Sequence, residues 1–276
     1  MKKFLALLLA ITMVSVFAGC SKNQPGNSDS DDSWSKIEKA GVLKLGMDSA
    51  FPPMGYIDEE TGDITGFDVE VATEVCSRLG IELKLTPINW KAQLNELNNG
   101  NVDCLWNGLS VTEERQKNMN LSEAYMRNNQ IILVKKDSSY QNLADLAGKR
   151  LSVQSGSSAA EALEEATEFK ASLGEIVGLD DYSKAIQEIK NGTVDCIAID
   201  EVVARHYLAK EPDMFRILEE DGKVISLAEE DYVIGFRKGE DALKNKIIDT
   251  IKEMAKDGKL KEISTKWFAE DVTVIK

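Results

Sequence analysis

Trp90-Lys-Ala-Gln-Leu-Asn-Glu-Leu-Asn-Asn-Gly-Asn-Val-Asp-Cys104 is echoed by Tyr182-Ser-Lys-Ala-Ile-Gln-Glu-Ile-Lys-Asn-Gly-Thr-Val-Asp-Cys196 at a constant offset of 92 residues (196 − 104). Leu94 and Leu97, like Ile186 and Ile189, sit three apart on one helical face. Gly100 and Gly192 suit the left-handed residue that ends a helix. Val102–Trp106 and Val194–Ile199 are short apolar runs of the kind that form buried strands. Each copy therefore predicts a helix, a stop and a strand. Two copies at this spacing are too few and too far apart for a solenoid. They imply two halves built alike, with a cleft between them as a natural ligand site.

Outward from the repeat, strands and helices alternate. Strands are expected at Val42–Met47, Ile81–Leu85, Gln130–Lys135, Arg150–Gln154 and Tyr232–Arg237. Helices are expected at Phe67–Leu79, Ser110–Gln116, Ala159–Ala166, Glu201–Ala209, Ala242–Asp257 and Leu260–Phe268, with a short one at Leu143–Leu146. Thr112-Glu-Glu offers a helix cap and first turn. Such alternation argues an α/β architecture with largely parallel sheets.

The start of the chain is of another kind. Lys2 and Lys3 precede an apolar run and then Val16-Phe-Ala-Gly-Cys20, which reads as a secretory signal over residues 1–19. No other segment approaches the apolar length needed to span a bilayer. Residues 20–33 are polar, with Gly, Pro and Asp, and read as a flexible tether. The folded part is expected from Trp34 to Lys276.

A net charge of −14 argues against nucleic acid and against a basic membrane patch. No cysteine or histidine spacing suggests a metal site, and no cofactor motif is present. Cys76, Cys104 and Cys196 are expected as buried free thiols, with a Cys76–Cys104 bridge as the alternative. His206, the single histidine, is expected as a solvated surface residue.

Open α/β sheets bind ligands at the carboxyl ends of their strands. Asp48 and Phe51 follow the first strand. Asn107, Gly108 and Ser110, then Arg115, follow the strand of the first repeat copy. Ser155-Gly-Ser-Ser158 follows Gln154 at a helix start, and Asp200 follows the strand of the second copy. One strong cation, two anions, hydroxyls and aromatics suit a zwitterion. A carboxylate wants Arg and backbone N–H groups at a helix N-terminus, an ammonium wants a carboxylate, and Phe51 and Trp90 can sandwich a side chain.

Six segments stand out in order along the chain: Gly46-Met-Asp48-Ser-Ala-Phe51-Pro-Pro, Gly66-Phe-Asp-Val-Glu70, Asn107-Gly-Leu-Ser110-Val-Thr-Glu-Glu-Arg115, Val153-Gln-Ser-Gly-Ser157-Ser158, Val194-Asp-Cys-Ile-Ala-Ile-Asp200 and Trp267-Phe268. Together they resemble the amino-acid-binding lipoproteins of polar amino acid ABC importers, the bacterial extracellular solute-binding proteins of family 3. The resemblance implies a periplasmic-binding-protein-like fold of two α/β lobes joined by two hinge strands. Lobe 1 would comprise residues 34–127 and 232–276, and lobe 2 residues 128–231.

It also implies roles. Arg115 would pair with a ligand α-carboxylate, aided by Ser110 and the backbone near Ser157 and Ser158, and Asp200 would take the α-ammonium. Asp48, Phe51, Trp90, Asn107 and Gly108 would line the side-chain pocket, with Gln154 at its far end. Trp106 is expected to turn away into the core. Cys20, following Ala18-Gly19, resembles a lipobox cysteine that carries the lipid anchor, a diacylglyceryl group with a further acyl chain such as palmitate.

The function implied is capture of a free amino acid by a monomer on the outer face of the cell membrane. The ligand would be delivered to a permease and its ATPase by ligand-biased closure, without catalysis. Asp48 and Asn107 point toward glutamine, arginine, lysine or histidine, while the aromatic pair would also accept cystine. Two rivals stay open: a dehydratase of cyclic acids on the same scaffold, and a sensory or adhesive surface lipoprotein.

Overall fold

A computed structural model describes residues 31–276. The expected signal segment, Cys20 and most of the tether lie outside these residues. Within them the helix–strand units of the repeat form as read. The first copy gives a short 3₁₀ turn at Trp90–Ala92, helix Gln93–Asn98 and a strand starting at Cys104. The second gives helix Tyr182–Asn191 and a strand starting at Cys196. The repeated Val-Asp-Cys has a physical job. Asp103 Oδ2 accepts the Lys44 backbone N–H at 2.8 Å, and Asp195 Oδ2 accepts the Arg150 backbone N–H at 2.9 Å. In each half the aspartate clamps the neighbouring strand as the new strand enters the sheet.

The principal strands are β1 (Val42–Met47), β2 (Glu82–Pro87), β3 (Cys104–Ser110), β4 (Met126–Lys135), β5 (Arg150–Gln154), β6 (Glu175–Leu179), β7 (Cys196–Asp200) and β8 (Ser226–Phe236). They belong to one sheet in the order β6-β5-β7-β4-β8-β3-β1-β2, with short strands Asn120–Leu121 and Phe215–Ile217 alongside. The outer members of each flank are parallel. β4 and β8 cross the middle antiparallel to each other and to their outer neighbours.

The helices are α1 (Ser33–Ala40), α2 (Phe67–Leu79), α3 (Gln93–Asn98), α4 (Glu113–Asn118), α5 (Ser158–Glu165), α6 (Thr167–Ser172), α7 (Tyr182–Asn191), α8 (Glu201–Lys210), α9 (Asp241–Asp257) and α10 (Lys259–Phe268). Among the described residues no helix is long and apolar enough to cross a membrane.

Every residue of β3 and β7 is buried. Both faces of these strands are covered, which is why they read as continuous apolar runs rather than alternating ones. Trp90, Leu97, Val102, Leu105 and Leu109 pack on one side of β3, while Trp106 turns to the other against Tyr125. Burying each such Leu or Val contributes about 1.5–3 kcal/mol. Cys76, Cys104 and Cys196 are buried free thiols, so the alternative Cys76–Cys104 bridge is not formed.

Three expectations need correction. The helix expected over Ser110–Gln116 runs instead over Glu113–Asn118, because Ser110 closes β3 in register with Tyr232. β4 and β8 both begin earlier than the sequence suggested, at Met126 and Ser226, because they pair with each other. His206 is half-buried rather than solvated: its ring packs 5.7 Å from Tyr56, and burial lowers its pKa.

Candidate functional site

The sheet register brings the ends of β3 and β7 to the crossing strands. Ser110 lies beside Tyr232 of β8, and Asp200 lies beside Gln130 of β4. Between them Asn128 pairs with Glu230 and Met126 with Tyr232. A polar row therefore runs across the middle of the sheet, where the two flanks meet.

Arg115 is placed by local chemistry. The Thr112 hydroxyl caps α4 by accepting the Arg115 backbone N–H at 3.2 Å. Arg115 is 5% exposed, with its guanidinium inside. It donates to the Ser110 carbonyl at 2.8 Å and to the Gly156 carbonyl at 3.2 Å, and lies 6.0 Å from the centre of the Trp90 ring. Burial lowers its pKa, opposed by the charges of Glu161, Glu230 and Asp200. An arginine stays protonated under such a shift, so a full cation is held inside. Gln93 Nε2 reaches the same Gly156 carbonyl at 3.1 Å. Gly156 has φ +77, and a Cβ there would stand 2.9 Å from the Lys91 Cα, so this approach of the two flanks requires glycine.

Asp200 precedes α8 yet makes no side-chain cap. Its Oδ1 accepts from Tyr232 Oη at 2.7 Å and from Asn128 Nδ2 and Gln130 Nε2 at 2.8 Å each; its Oδ2 accepts from Tyr182 Oη at 3.1 Å. Burial, then the Glu230 charge, hold its carboxyl well above the usual carboxylate range.

Asp48 marks the other end. It accepts the Ala50 N–H at 2.9 Å through Oδ1, and its own N–H donates to Asn107 Oδ1 at 3.1 Å. Gln154 Nε2 donates to Asp48 Oδ2 at 2.6 Å from the opposite flank. Burial pushes Asp48 up to about 6, against the Ala50 and Gln154 hydrogen bonds. Between the ends lie Phe51, 5.7 Å from Tyr182, and Gly108, whose Cβ would meet the Phe51 ring at 2.6 Å. Ser158 Oγ lies 3.1 Å from Ser110 Oγ, whereas Ser157 caps α5 by accepting the Ala160 N–H at 3.2 Å.

All the nominated residues of the folded part are thus gathered in one region, with Asp48, Asn107 and Gln154 at one end. Ser110, Arg115, Ser158 and Asp200 lie at the other. Sequence reasoning missed Gln93, Asn128, Gln130 and Glu230. Gln93 lay inside the repeat. The others had no motif and become visible only through the pairing of β4 with β8. A cavity of about 260 Å³ opens beside Arg115, bordered by Lys91, Gln93, Gly156 and Glu161.

Comparison with known proteins gives a consistent picture. The family described as bacterial extracellular solute-binding proteins, family 3, matches residues 43–270. The L-cystine-binding protein TcyA of Bacillus subtilis is 32% identical, covering 99% of this chain and 100% of that protein. The arginine-binding extracellular protein ArtP of the same organism is 31% identical over 97% of this chain and 98% of its own. A crystal structure of an ABC uptake transporter substrate-binding protein from Streptococcus pneumoniae with bound histidine superposes with a TM-score of 0.83. It is 35% identical, covering 88% of this chain and 98% of that one.

Proposed function

Because the chain belongs to the bacterial extracellular solute-binding proteins of family 3, we propose that it captures a polar or cationic amino acid in this cleft. It then presents the ligand to the permease of an ABC importer. The chain is a binding protein, not an enzyme. The observation that carries the ligand class is the pair of buried charges, Arg115 at 5% and Asp200 at 2% exposure, brought from opposite flanks of one sheet. Withdrawing such charges from water costs several kcal/mol each unless they are well paired, so their retention favours a ligand with both an anionic and a cationic end.

Arg115 would take the α-carboxylate with the Ser110 and Ser158 hydroxyls, and Asp200 the α-ammonium. Asp48, Asn107 and Gln154 would meet the far end of the side chain, with Phe51, Trp90 and Gly108 along its walls. Ser157 holds the α5 turn. The acidic far end favours arginine, lysine, histidine or glutamine. The relatives named for cystine and arginine support a long polar ligand.

Lobe 1 would be residues 34–127 with 232–276, and lobe 2 residues 128–231. The mutual pairing of β4 and β8 at Met126–Tyr232 and Asn128–Glu230 supports hinges there. A ligand closes such lobes only by its differential affinity for the closed form. Cross-cleft bonds such as Gln154 to Asp48 are of the kind that set it.

Cys20 would carry the lipid anchor that keeps a monomer on the outer face of the membrane. Palmitate incorporation that disappears in Cys20→Ala tests this. Titration calorimetry with the common amino acids tests the binding reading. A protein that binds none, or an Arg115→Ala variant that binds as tightly as the parent, overturns it.

A further inference from the structure

Glu230 is the charged residue of the cleft that no motif announces. It enters from β8, opposite Asn128 of β4. One oxygen, Oε2, accepts from Ser110 Oγ at 2.6 Å, Gln130 Nε2 at 2.9 Å, Ser158 Oγ at 3.1 Å and Asn128 Nδ2 at 3.3 Å. The same two amides donate to Asp200 Oδ1. Two carboxylates therefore stand side by side and share their donors.

The amides show what is missing. Each turns its nitrogen toward both carboxylates, and the oxygen of each, Asn128 Oδ1 and Gln130 Oε1, is buried without a hydrogen-bond donor. The residues are 5% and 0% exposed. A buried acceptor without a donor is destabilising, because it has given up its hydrogen bonds to water. Two of them beside two carboxylates make a pocket rich in acceptors and short of donors. The guanidinium of Arg115 does not fill the need, since it donates to the Ser110 and Gly156 carbonyls. An ammonium group does: it is compact, cationic and carries three donors.

We propose that Glu230 and Asp200 together form a two-carboxylate pocket for the ligand α-ammonium, which makes Glu230 a specificity-determining residue for ligands with a free, protonated amine. This deepens the amino-acid reading of the cleft and rests on it. Asp48 adds a third carboxyl group at the far end of the cleft, against the single guanidinium of Arg115, which favours a ligand of net positive charge. The competing arrangement has Glu230 standing in for the ligand carboxylate. The Ser110 and Ser158 hydroxyls would serve either arrangement, but a carboxylate stand-in would also be engaged by Arg115, which instead donates to the Ser110 and Gly156 carbonyls.

The test is calorimetric titration of the parent, Glu230→Gln and Glu230→Asp with matched probes. These are L-arginine with 5-guanidinopentanoate, L-lysine with 6-aminohexanoate, L-histidine with imidazolepropionate, L-glutamine with 4-carbamoylbutanoate, and L-cystine with 3,3′-dithiodipropionate. Each analogue keeps the carboxylate and side chain and lacks the α-amine.

Loss of one hydrogen bond to a charged group predicts a roughly 10- to 100-fold weaker affinity of Glu230→Gln for the amino acid. Glu230→Asp should fall between that variant and the parent, and affinity for the analogue should stay within about 3-fold. Equal losses for both members of a pair would make Glu230 a hinge residue only and overturn the proposal. Tighter binding by Glu230→Gln would do the same, as would no change. A parent that binds none of the five amino acids overturns the amino-acid reading itself, and this proposal with it.

Discussion

Asp68 offers a perturbation whose effect changes sign with pH. It is fully buried on α2, and its Oδ2 accepts the Gly108 N–H at 2.8 Å and the Tyr125 hydroxyl at 2.9 Å. Its Oδ1 has no hydrogen bond, although the equally unpaired Trp106 Nε1 faces the same carboxyl. Burial pushes its pKa from 3.8 to about 7, partly countered by the Gly108 and Tyr125 hydrogen bonds. The folded state thus holds this proton more tightly than the unfolded chain. The stability it contributes is complete below pH 3.8 and is lost as pH rises through about 7.

Raising the carboxyl from 3.8 to about 7 corresponds to about 4 kcal/mol. Asp68→Asn has no proton to lose. Its oxygen can keep both hydrogen bonds, while its NH₂ replaces an unpaired oxygen at a cost of about 1–3 kcal/mol. The variant should therefore be about 1–3 kcal/mol less stable than the parent near pH 4 and about 1–3 kcal/mol more stable near pH 8, with the curves crossing between. Urea unfolding followed by tryptophan fluorescence at pH 4.5, 6 and 8 measures this. Taking differences between the two proteins removes the contributions of Asp48 and Asp200. A constant offset across the series would show that Asp68 does not titrate as its burial requires.

Other outcomes follow from the same geometry. Arg115→Ala removes a buried cation and should weaken amino-acid binding at least about 100-fold by calorimetry, the worth of two charge-assisted hydrogen bonds at about 1.5 kcal/mol each. Gly108→Ala meets the Phe51 ring at 2.6 Å from a left-handed backbone at φ +57. Strain and overpacking should together cost roughly 2–5 kcal/mol in denaturant unfolding. Asp48, raised to about 6, ionises as pH climbs through that value. Affinity for a cationic ligand such as L-arginine should accordingly rise between pH 5 and 7, and Asp48→Asn should reduce that rise to the part that Asp200 contributes.

Much of this was legible in the sequence because the informative residues are local. Gly100 and Gly192 stop their helices, and β3 and β7 are buried on both faces and so read as apolar runs. Asp48, Asn107, Ser110 and Asp200 close strands or follow them directly, which is where an α/β sheet presents its chemistry. What stayed hidden depended on long-range pairing. Ser226-Leu-Ala-Glu-Glu-Asp231 has little intrinsic preference for a strand, being acidic and poor in β-branched residues. It becomes one through its register with β4, so Glu230 looked like loop. Asn128 lay before the expected strand Gln130–Lys135, and Gln130 opened that strand with no motif to mark its side chain. His206 read as surface because its own helix is polar, and the approach of Tyr56 from a distant part of the chain helps to cover it.

The unbridged cysteines give the molecule an internal reporter for each half. The thiolate is the reactive form of cysteine, and burial raises the pKa of Cys76 to about 12 and those of Cys104 and Cys196 as well. Alkylation in the native protein therefore waits on local opening. Because Cys104 and Cys196 start the equivalent strands β3 and β7 on opposite flanks, single-thiol variants lacking Cys20 would time the opening of each flank separately. Adding ligand to such an experiment asks which flank the ligand holds shut.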